Sequence, residues 1–311
     1  MHIAVFYCCS RLPIEGYGGT ERVVVSLVRA LTTMGHRVTL IAPEGSAVPP
    51  ATVVPLRTKH LDLKTFDISP LLPPDADILH SFSMLRIEPR LPNLWTIEGN
   101  FREGQVPPAN TIYVSANHAE RNGGTAFVYN GVDPAEMIYR VEKSDYDLFL
   151  GRLHKIKGYH WAIEGARRTR RRLIVAGGWR PSLSRSLSFA GSVDGVKKAE
   201  LIAGARFLWM PALWEEPFGL TLAEALLCGT PILGTRRGSL PEIISSDVGS
   251  TADTLDELVD LIPTIAKKKP EDCRARGMKY FTHDAMAAEY VRFYEHYLRE
   301  GKLPDGRRAG A

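Results

Sequence analysis

Apolar residues recur along this chain in two rhythms that alternate. Short continuous runs read as buried strands, and longer stretches with apolar positions three and four apart read as helices. His2 to Tyr7 is a first short run. Val23 to Met34 has helical spacing, Gly35 ends it, and Arg37 to Ala42 is the next run. A strand, loop, helix, strand unit of this kind implies a parallel sheet. Asp77 to His80, Leu94 to Ile97, Thr111 to Ser115 and Ala126 to Tyr129 read as further strands, while residues 43–75 are proline-rich and weakly periodic. The rhythm then starts afresh. Leu148 to Leu150 is a strand, a helix begins at Tyr159, Leu173 to Ala176 is a strand and Lys197 to Ala203 a short helix. Phe207 to Met210 is a strand, Leu220 to Leu227 a helix stopped by Gly229, and Thr230 to Gly234 a buried strand. A last helix, Asp284 to Leu298, carries Met286, Tyr290, Phe293, Tyr294 and Tyr297 at helical spacing. The expectation is an α/β protein with two parallel-sheet domains, 1–142 and 143–283, then a helix over 284–300 and a disordered tail over 301–311. The charged segment Glu142-Lys143-Ser144-Asp145 is the expected linker.

Composition narrows the class. The chain has 311 residues, 44% apolar and 24% charged, an ordinary soluble balance at a length that favours two domains. No apolar run is long enough to span a bilayer. The first residues lack the basic region of a signal peptide and read as a strand. Cys8, Cys9, Cys228 and Cys273 have no zinc spacing and are read as reduced, in a cytoplasmic protein. A formal charge of +4 is too mild to argue for nucleic acid. Arg167, Arg168, Arg170, Arg171 and Arg172 form one basic cluster. It reads as a solvated helix C-terminus, where cations meet the negative end of the dipole. A patch for anionic lipid or acceptor is the competing reading, so a peripheral place at the inner face of a membrane stays open.

The candidate chemistry concentrates in the second half. Glu216 and Glu224 have seven residues between them, with the break Pro217-Phe218-Gly219 ahead of the helix from Leu220. The amides at such a helix start make an anion site. A carboxylate in the loop, free amides around Gly219, Leu220 and Thr221, and a second carboxylate further along the helix suit a ligand with hydroxyls at both ends and a diphosphate between. Thr221 and Glu224 also fit a capping box, the purely structural alternative. Gly151 to Gly158 places Arg152 and Lys157 after a strand and before a helix, a setting that suits a diphosphate. In the first half, Gly18 and Gly19 either let the backbone approach a ligand or make a tight turn. That loop lacks the third glycine of a dinucleotide fingerprint, which disfavours a nicotinamide cofactor. His80 stands at a strand end as a candidate site residue. Asp75-Ala76-Asp77 imitates a metal-binding pair but reads better as a cap at a strand entrance.

These strings carry a resemblance. Glu216-Pro217-Phe218-Gly219-Leu220, Glu224-Ala225, Gly229-Thr230-Pro231 and Pro241-Glu242-Ile243 resemble the donor-site signature of the family-4 retaining glycosyltransferases, which have the GT-B architecture. Tyr17-Gly18-Gly19-Thr20-Glu21-Arg22, Asn130-Gly131-Val132-Asp133 and Gly151-Arg152…Lys157-Gly158 are similar to further elements of that family. The resemblance implies two Rossmann-like domains facing each other across a cleft, with the C-terminal helix returning to the first. It implies that Glu216 contacts the transferred sugar, Glu224 the ribose, and Arg152 and Lys157 the donor phosphates. It places the Gly18-Gly19 loop at the phosphate and acceptor, and Phe189 to Val193 near the nucleobase through main-chain contacts. The expected reaction is metal-independent transfer of a sugar from a nucleoside diphosphate sugar to a hydroxyl, with retained configuration and no cofactor. Family members commonly carry a histidine where Glu98 stands, so Glu98 and the nearby Asn100 join His80 as acceptor-side candidates. That departure leaves open a nucleotide-sugar-binding protein without catalysis. An epimerase or a phosphorylase-like enzyme on the same fold is also open. The sugar, the base, the acceptor and the oligomeric state are not legible.

Overall fold

The computed structural model describes residues 1–14, 16, 18–57, 67–85, 87–101 and 104–304. Two compact units emerge, one of Met1–Gly131 with His283–Ala311, the other of Val132–Thr282. Each is built on one six-stranded parallel sheet.

In the first unit the strands are β1 (His2–Phe6), β2 (Arg37–Pro43), β3 (Thr52–Leu56), β4 (Ile78–Ser81), β5 (Asn93–Thr96) and β6 (Thr111–Ile112). Their order is β3-β2-β1-β4-β5-β6. Helix α1 (Thr20–Thr33) follows β1, α2 (Ala116–Arg121) follows β6, and α10 (His283–Glu300) closes the unit. Ile3, Ala4 and Val5 of β1 are fully buried, as central strands of a parallel sheet covered on both faces must be. Helix α10 packs on α1, and its aromatic stripe buries Tyr290, Phe293 and Tyr294 completely. Full burial of one such side chain stabilises by about 1.5–3 kcal/mol, so this stripe anchors the helix to the unit.

The second unit repeats the plan. Its strands are β7 (Asp147–Leu150), β8 (Leu173–Ala176), β9 (Leu187–Gly191), β10 (Leu208–Met210), β11 (Ile232–Thr235) and β12 (Gly249–Ala252). The order β12-β11-β10-β7-β8-β9 is that of the first sheet. Helices α3 (Tyr159–Arg168), α4 (Gly195–Gly204), α5 (Leu220–Leu227) and α6 (Leu240–Ile243) connect the strands. Helices α7 (Leu255–Asp260), α8 (Ile262–Ile265) and α9 (Pro270–Tyr280) follow β12. Both sheets have the doubly wound order with one topological switch point, between β1 and β4 and between β7 and β10.

Three expectations change. The units meet in sequence at Gly131–Val132, ahead of the charged segment expected to link them. Lys143 of that segment is tied into the second unit: its Nζ donates to the carbonyls of Ala203 (2.9 Å) and Cys228 (3.4 Å) and to Thr230 (3.1 Å). The proline-rich stretch holds β3, an edge strand that tolerates Pro55 because an edge needs fewer ladder bonds. The run at Ala126–Tyr129 contributes only a bridge from Tyr113 to Phe127. Of the tail, 301–304 are described, and 305–311 lie outside the described residues, as does Tyr17.

Candidate functional site

In a doubly wound sheet, the strands on either side of the switch point send their connections to opposite faces and leave a crevice at their carboxyl ends. In the second unit the crevice lies beyond β7 and β10. The segment after β7 carries Arg152 and Lys157, and the segment after β10 carries Glu216. Gly158 holds the two segments together. Its φ is +74°, and a Cβ there would sit 1.7 Å from the Pro211 carbonyl oxygen, so only glycine fits. The Leu213 amide donates to the Ile156 carbonyl at 2.7 Å, a second tie. Across this junction the Lys157 ammonium donates to Glu216 Oε2 at 2.6 Å. The same oxygen accepts the Trp214 indole N–H at 2.9 Å. Lys157 Nζ lies 4.5 Å from the Trp214 ring centroid, a cation–π position. The ion pair is largely out of water, with side-chain exposures of 14% and 9%.

The Glu216 backbone is clamped from the segment after β11. Ser239 N–H donates to the Glu216 carbonyl at 2.9 Å, and Ser239 Oγ donates to the Phe218 carbonyl at 2.9 Å. Gly238 N–H donates to Glu215 Oε2 at 2.6 Å. Gly238 has φ +58°, and a Cβ there would fall 2.2 Å from the Glu216 carbonyl oxygen. Helix α5 starts at Gly219, in the left-handed region, with no side chain capping its first turn. The capping-box alternative is thereby excluded: Glu224 does not reach back but accepts from Lys198 Nζ of α4 at 2.6 Å. Phe218 is buried, whereas Leu220 and Thr221 of the first turn are partly accessible. Val193 lies between β9 and α4, just ahead of Asp194, which caps α4 by accepting from Gly195 N–H at 2.7 Å.

Of the residues expected at a donor site, the second unit thus brings Lys157 and Glu216 into direct contact and sets Gly219, Leu220, Thr221 and Glu224 on one helix. Arg152 is exposed in the segment that ends at Lys157. Sequence reasoning did not find Trp214 or Lys198. An aromatic two residues before Glu216 was the one available signal for Trp214, and Lys198 had none.

In the first unit the switch point lies beyond β1 and β4. Tyr7 OH and Ser10 Oγ donate to Glu21 Oε1 of α1 at 2.6 and 2.9 Å, closing the glycine loop. Gly18 has side-chain atoms of Ile14 and Glu21 within 3 Å of where its Cβ would be, so a larger residue makes them shift. Gly19 caps α1 with φ −83° and needs no left-handed backbone. His80, expected on the acceptor side, stands in the core. It is fully buried, its Nδ1 is 2.6 Å from Tyr294 OH and its Nε2 2.8 Å from Thr96 Oγ1. Burial drives its pKa down to about 3, so it is a neutral core imidazole with both nitrogens engaged. Glu98 is different. Asn130 Nδ2 donates to its Oε2 at 2.6 Å, while Oε1 is buried with no partner. Burial pushes its pKa up to about 7, against the bond from Asn130. Asn100 accepts from Arg121 at 3.3 Å.

Two further strings are structural. Asp75 pairs with Arg37 and with His2, and Asp77 Oδ2 accepts the His2 N–H at 2.7 Å, so both carboxylates brace the amino ends of the strands. In the arginine cluster, Arg167 and Arg168 end α3 and pair with Glu164 on the same helix. Arg171 forms a bidentate pair with the fully buried Asp147. The four cysteines are unpaired. Among the described residues no helix is long and apolar enough to cross a membrane.

Comparison with known proteins agrees with this geometry. Residues 146–268 match the family described as Glycosyl transferases group 1, and residues 17–96 match Glycosyltransferase Family 4. The N-acetyl-alpha-D-glucosaminyl L-malate synthase of Bacillus anthracis is 32% identical over 123 residues, 37% of this chain and 32% of that protein. The D-inositol 3-phosphate glycosyltransferase of Mycolicibacterium smegmatis is 31% identical over 107 residues, 31% of this chain and 25% of that protein. The chain thus matches a third or less of the length of either curated relative. The crystal structure of a glycosyltransferase involved in avilamycin A biosynthesis superposes with a TM-score of 0.79 and 26% identity, covering 97% of this chain and 99% of that one. With two doubly wound sheets of matching order and both family matches falling on them, this chain belongs to the family-4 glycosyltransferases of GT-B fold.

Proposed function

We propose that this protein transfers a sugar from a nucleoside diphosphate sugar to an acceptor hydroxyl, with retention of the anomeric configuration and without a metal. The observation that carries the reading is the meeting of Lys157 and Glu216 at the switch point, beside the uncapped start of α5. A departing diphosphate needs positive charge where its negative charge develops. Arg152, Lys157 and the amides around Gly219 to Thr221 supply it from fixed positions. Glu216 accepts hydrogen bonds from hydroxyls of the transferred sugar and sets its anomeric carbon, and Glu224 takes the ribose. Holding donor and acceptor in a reactive geometry supplies much of the remaining rate. Glu215, the neighbouring carboxylate, is turned to the Gly238 amide and away from a nucleophile's role. Attack from the face that the diphosphate leaves, with the leaving phosphate taking the acceptor proton, therefore fits better than a covalent glycosyl-enzyme. The acceptor lies with the first unit, where Glu98 carries the unpartnered oxygen.

The test is a panel of UDP, GDP, ADP and dTDP sugars, screened first by thermal shift. The donor that binds is then incubated with hydroxyl acceptors and the product linkage read by NMR. An axial donor giving an axial product supports the reading. Inversion, or interconversion of sugars without any acceptor, removes it.

A further inference from the structure

Helix α4 buries one face, and Lys198 lies on it with Ala199, Ile202 and Ala203. Helix α5 is almost entirely apolar, with Leu222, Ala223, Ala225, Leu226 and Leu227 buried around Glu224. Against this background two charges meet. Lys198 Nζ donates to Glu224 Oε1 at 2.6 Å, and the side chains are only 11% and 5% exposed. A buried ion pair is a poor device for stability, because desolvating both charges costs about what their attraction returns and an apolar pair of equal volume does as well or better. The pair engages one carboxylate oxygen. A carboxylate pinned by one oxygen suits a vicinal diol, which offers two O–H donors a fixed distance apart.

We propose that Lys198 is a positioning residue for nucleotide recognition: it holds Glu224 so that the carboxylate meets the 2′- and 3′-hydroxyls of the donor's ribose, and so sets a preference for ribonucleoside over 2′-deoxyribonucleoside diphosphates. The inference rests on the donor-site reading above, and adds to it the residue that orients the ribose carboxylate and the discrimination that follows. Lys198 does not touch the nucleotide. It acts by fixing the rotamer and charge of Glu224, much as an outer partner fixes a metal ligand. A carboxylate that bonds a hydroxyl favours the ligand that carries it over the analogue that lacks it, because the analogue forgoes that bond.

The experiment titrates the whole chain calorimetrically with UDP, GDP and ADP and with the 2′-deoxy form of each. Four variants are compared: Glu224→Gln, Lys198→Met, Lys198→Arg and the double variant Lys198→Met/Glu224→Gln. The wild type is expected to prefer the ribo form of the nucleotide it binds. Glu224→Gln and Lys198→Met each lower that preference by about tenfold, with Lys198→Arg between. In transfer assays Lys198→Met raises KM for the donor and leaves kcat near wild type. Should Lys198→Met not fold, Glu224→Gln and the double variant decide, since removing both charges leaves none unpaired. Equal preference in those two is expected, because the lysine acts only through the carboxylate. A full ribose preference in Lys198→Met, with only stability lowered, overturns the proposal, as does a further drop from Glu224→Gln to the double variant. If no nucleoside diphosphate binds, or Glu224→Gln keeps the preference, the donor-site reading itself has failed.

Discussion

Lys157 and Glu216 come from segments that leave adjacent strands of the second sheet, and they meet at 2.6 Å with the Trp214 indole bonded to the same carboxylate oxygen. The two side chains neutralise each other across this junction. Under the proposed function, a donor's diphosphate would take Lys157 and its sugar hydroxyls would take Glu216.

A sign-inverting outcome follows for Glu216→Gln. Removing the charge frees Lys157 for an anion, so a nucleoside diphosphate without sugar binds more tightly, by about threefold to tenfold. Transfer falls by about a hundredfold or more, since the contact to the sugar is weakened. Calorimetry with the sugar-free nucleotide and initial rates with the full donor read the two effects separately. Lys157→Met loses both binding and rate.

Gly238 and Gly19 make a contrast of backbone positions. Gly238→Ala puts a Cβ 2.2 Å from the Glu216 carbonyl at φ +58°. The segment must shift, and stability drops by roughly 1–3 kcal/mol, with a larger loss of rate as Glu216 moves. Gly19→Ala, with no atom within 4 Å of the new Cβ, leaves stability near wild type. Thermal melts and steady-state rates compare the two.

Glu98 gives a pH signature. Its folded pKa lies at about 7, above the ordinary 4.5 of a glutamate, because burial disfavours the charged form. Between those values the folded chain holds a proton that the unfolded chain has released, so stability falls as pH rises through this window. Above pH 7 the penalty is complete, about 1–3 kcal/mol. Glu98→Gln therefore melts higher than wild type at pH 8, and the two converge near pH 4. Melting curves across pH 4 to 8 measure the crossing.

His80 behaves in the opposite sense. Burial holds its folded pKa down to about 3, against 6.5 for a free imidazole. The unfolded chain takes up a proton that the folded one refuses, so this contribution is present above pH 6.5 and is lost as pH falls toward 3. His80→Ala removes the links to Tyr294 and Thr96 and lowers stability by about 2–4 kcal/mol. Nucleotide affinity is expected to stay unchanged, because the side chain is fully buried. A loss of binding without a loss of stability restores it as a site residue.

Local pattern made much of this fold legible. The stretch from Leu220 to Leu227 was readable as a helix because an apolar run is opened by one glycine and stopped by another, and it is α5 to the residue. Leu173 to Ala176 was readable for a similar reason, a short β-branched run between polar flanks. What depends on distant pairing was not. Lys198 looks like any lysine on an amphipathic helix, and its role follows from a carboxylate 26 residues away. His80 looked functional because it closes a strand, but tyrosines from a helix more than 200 positions later cover it. Lys143 sat in a charged run that resembled a linker, yet three oxygens of the second unit hold its ammonium.

The most direct measurement is a crystal structure of the chain with its bound nucleoside diphosphate sugar. Phosphate oxygens are expected within hydrogen-bond distance of Lys157 and the first-turn amides of α5, with the sugar hydroxyls on Glu216. A diphosphate bound elsewhere, with the Lys157–Glu216 pair intact at its ligand-free distance, would contradict that placement.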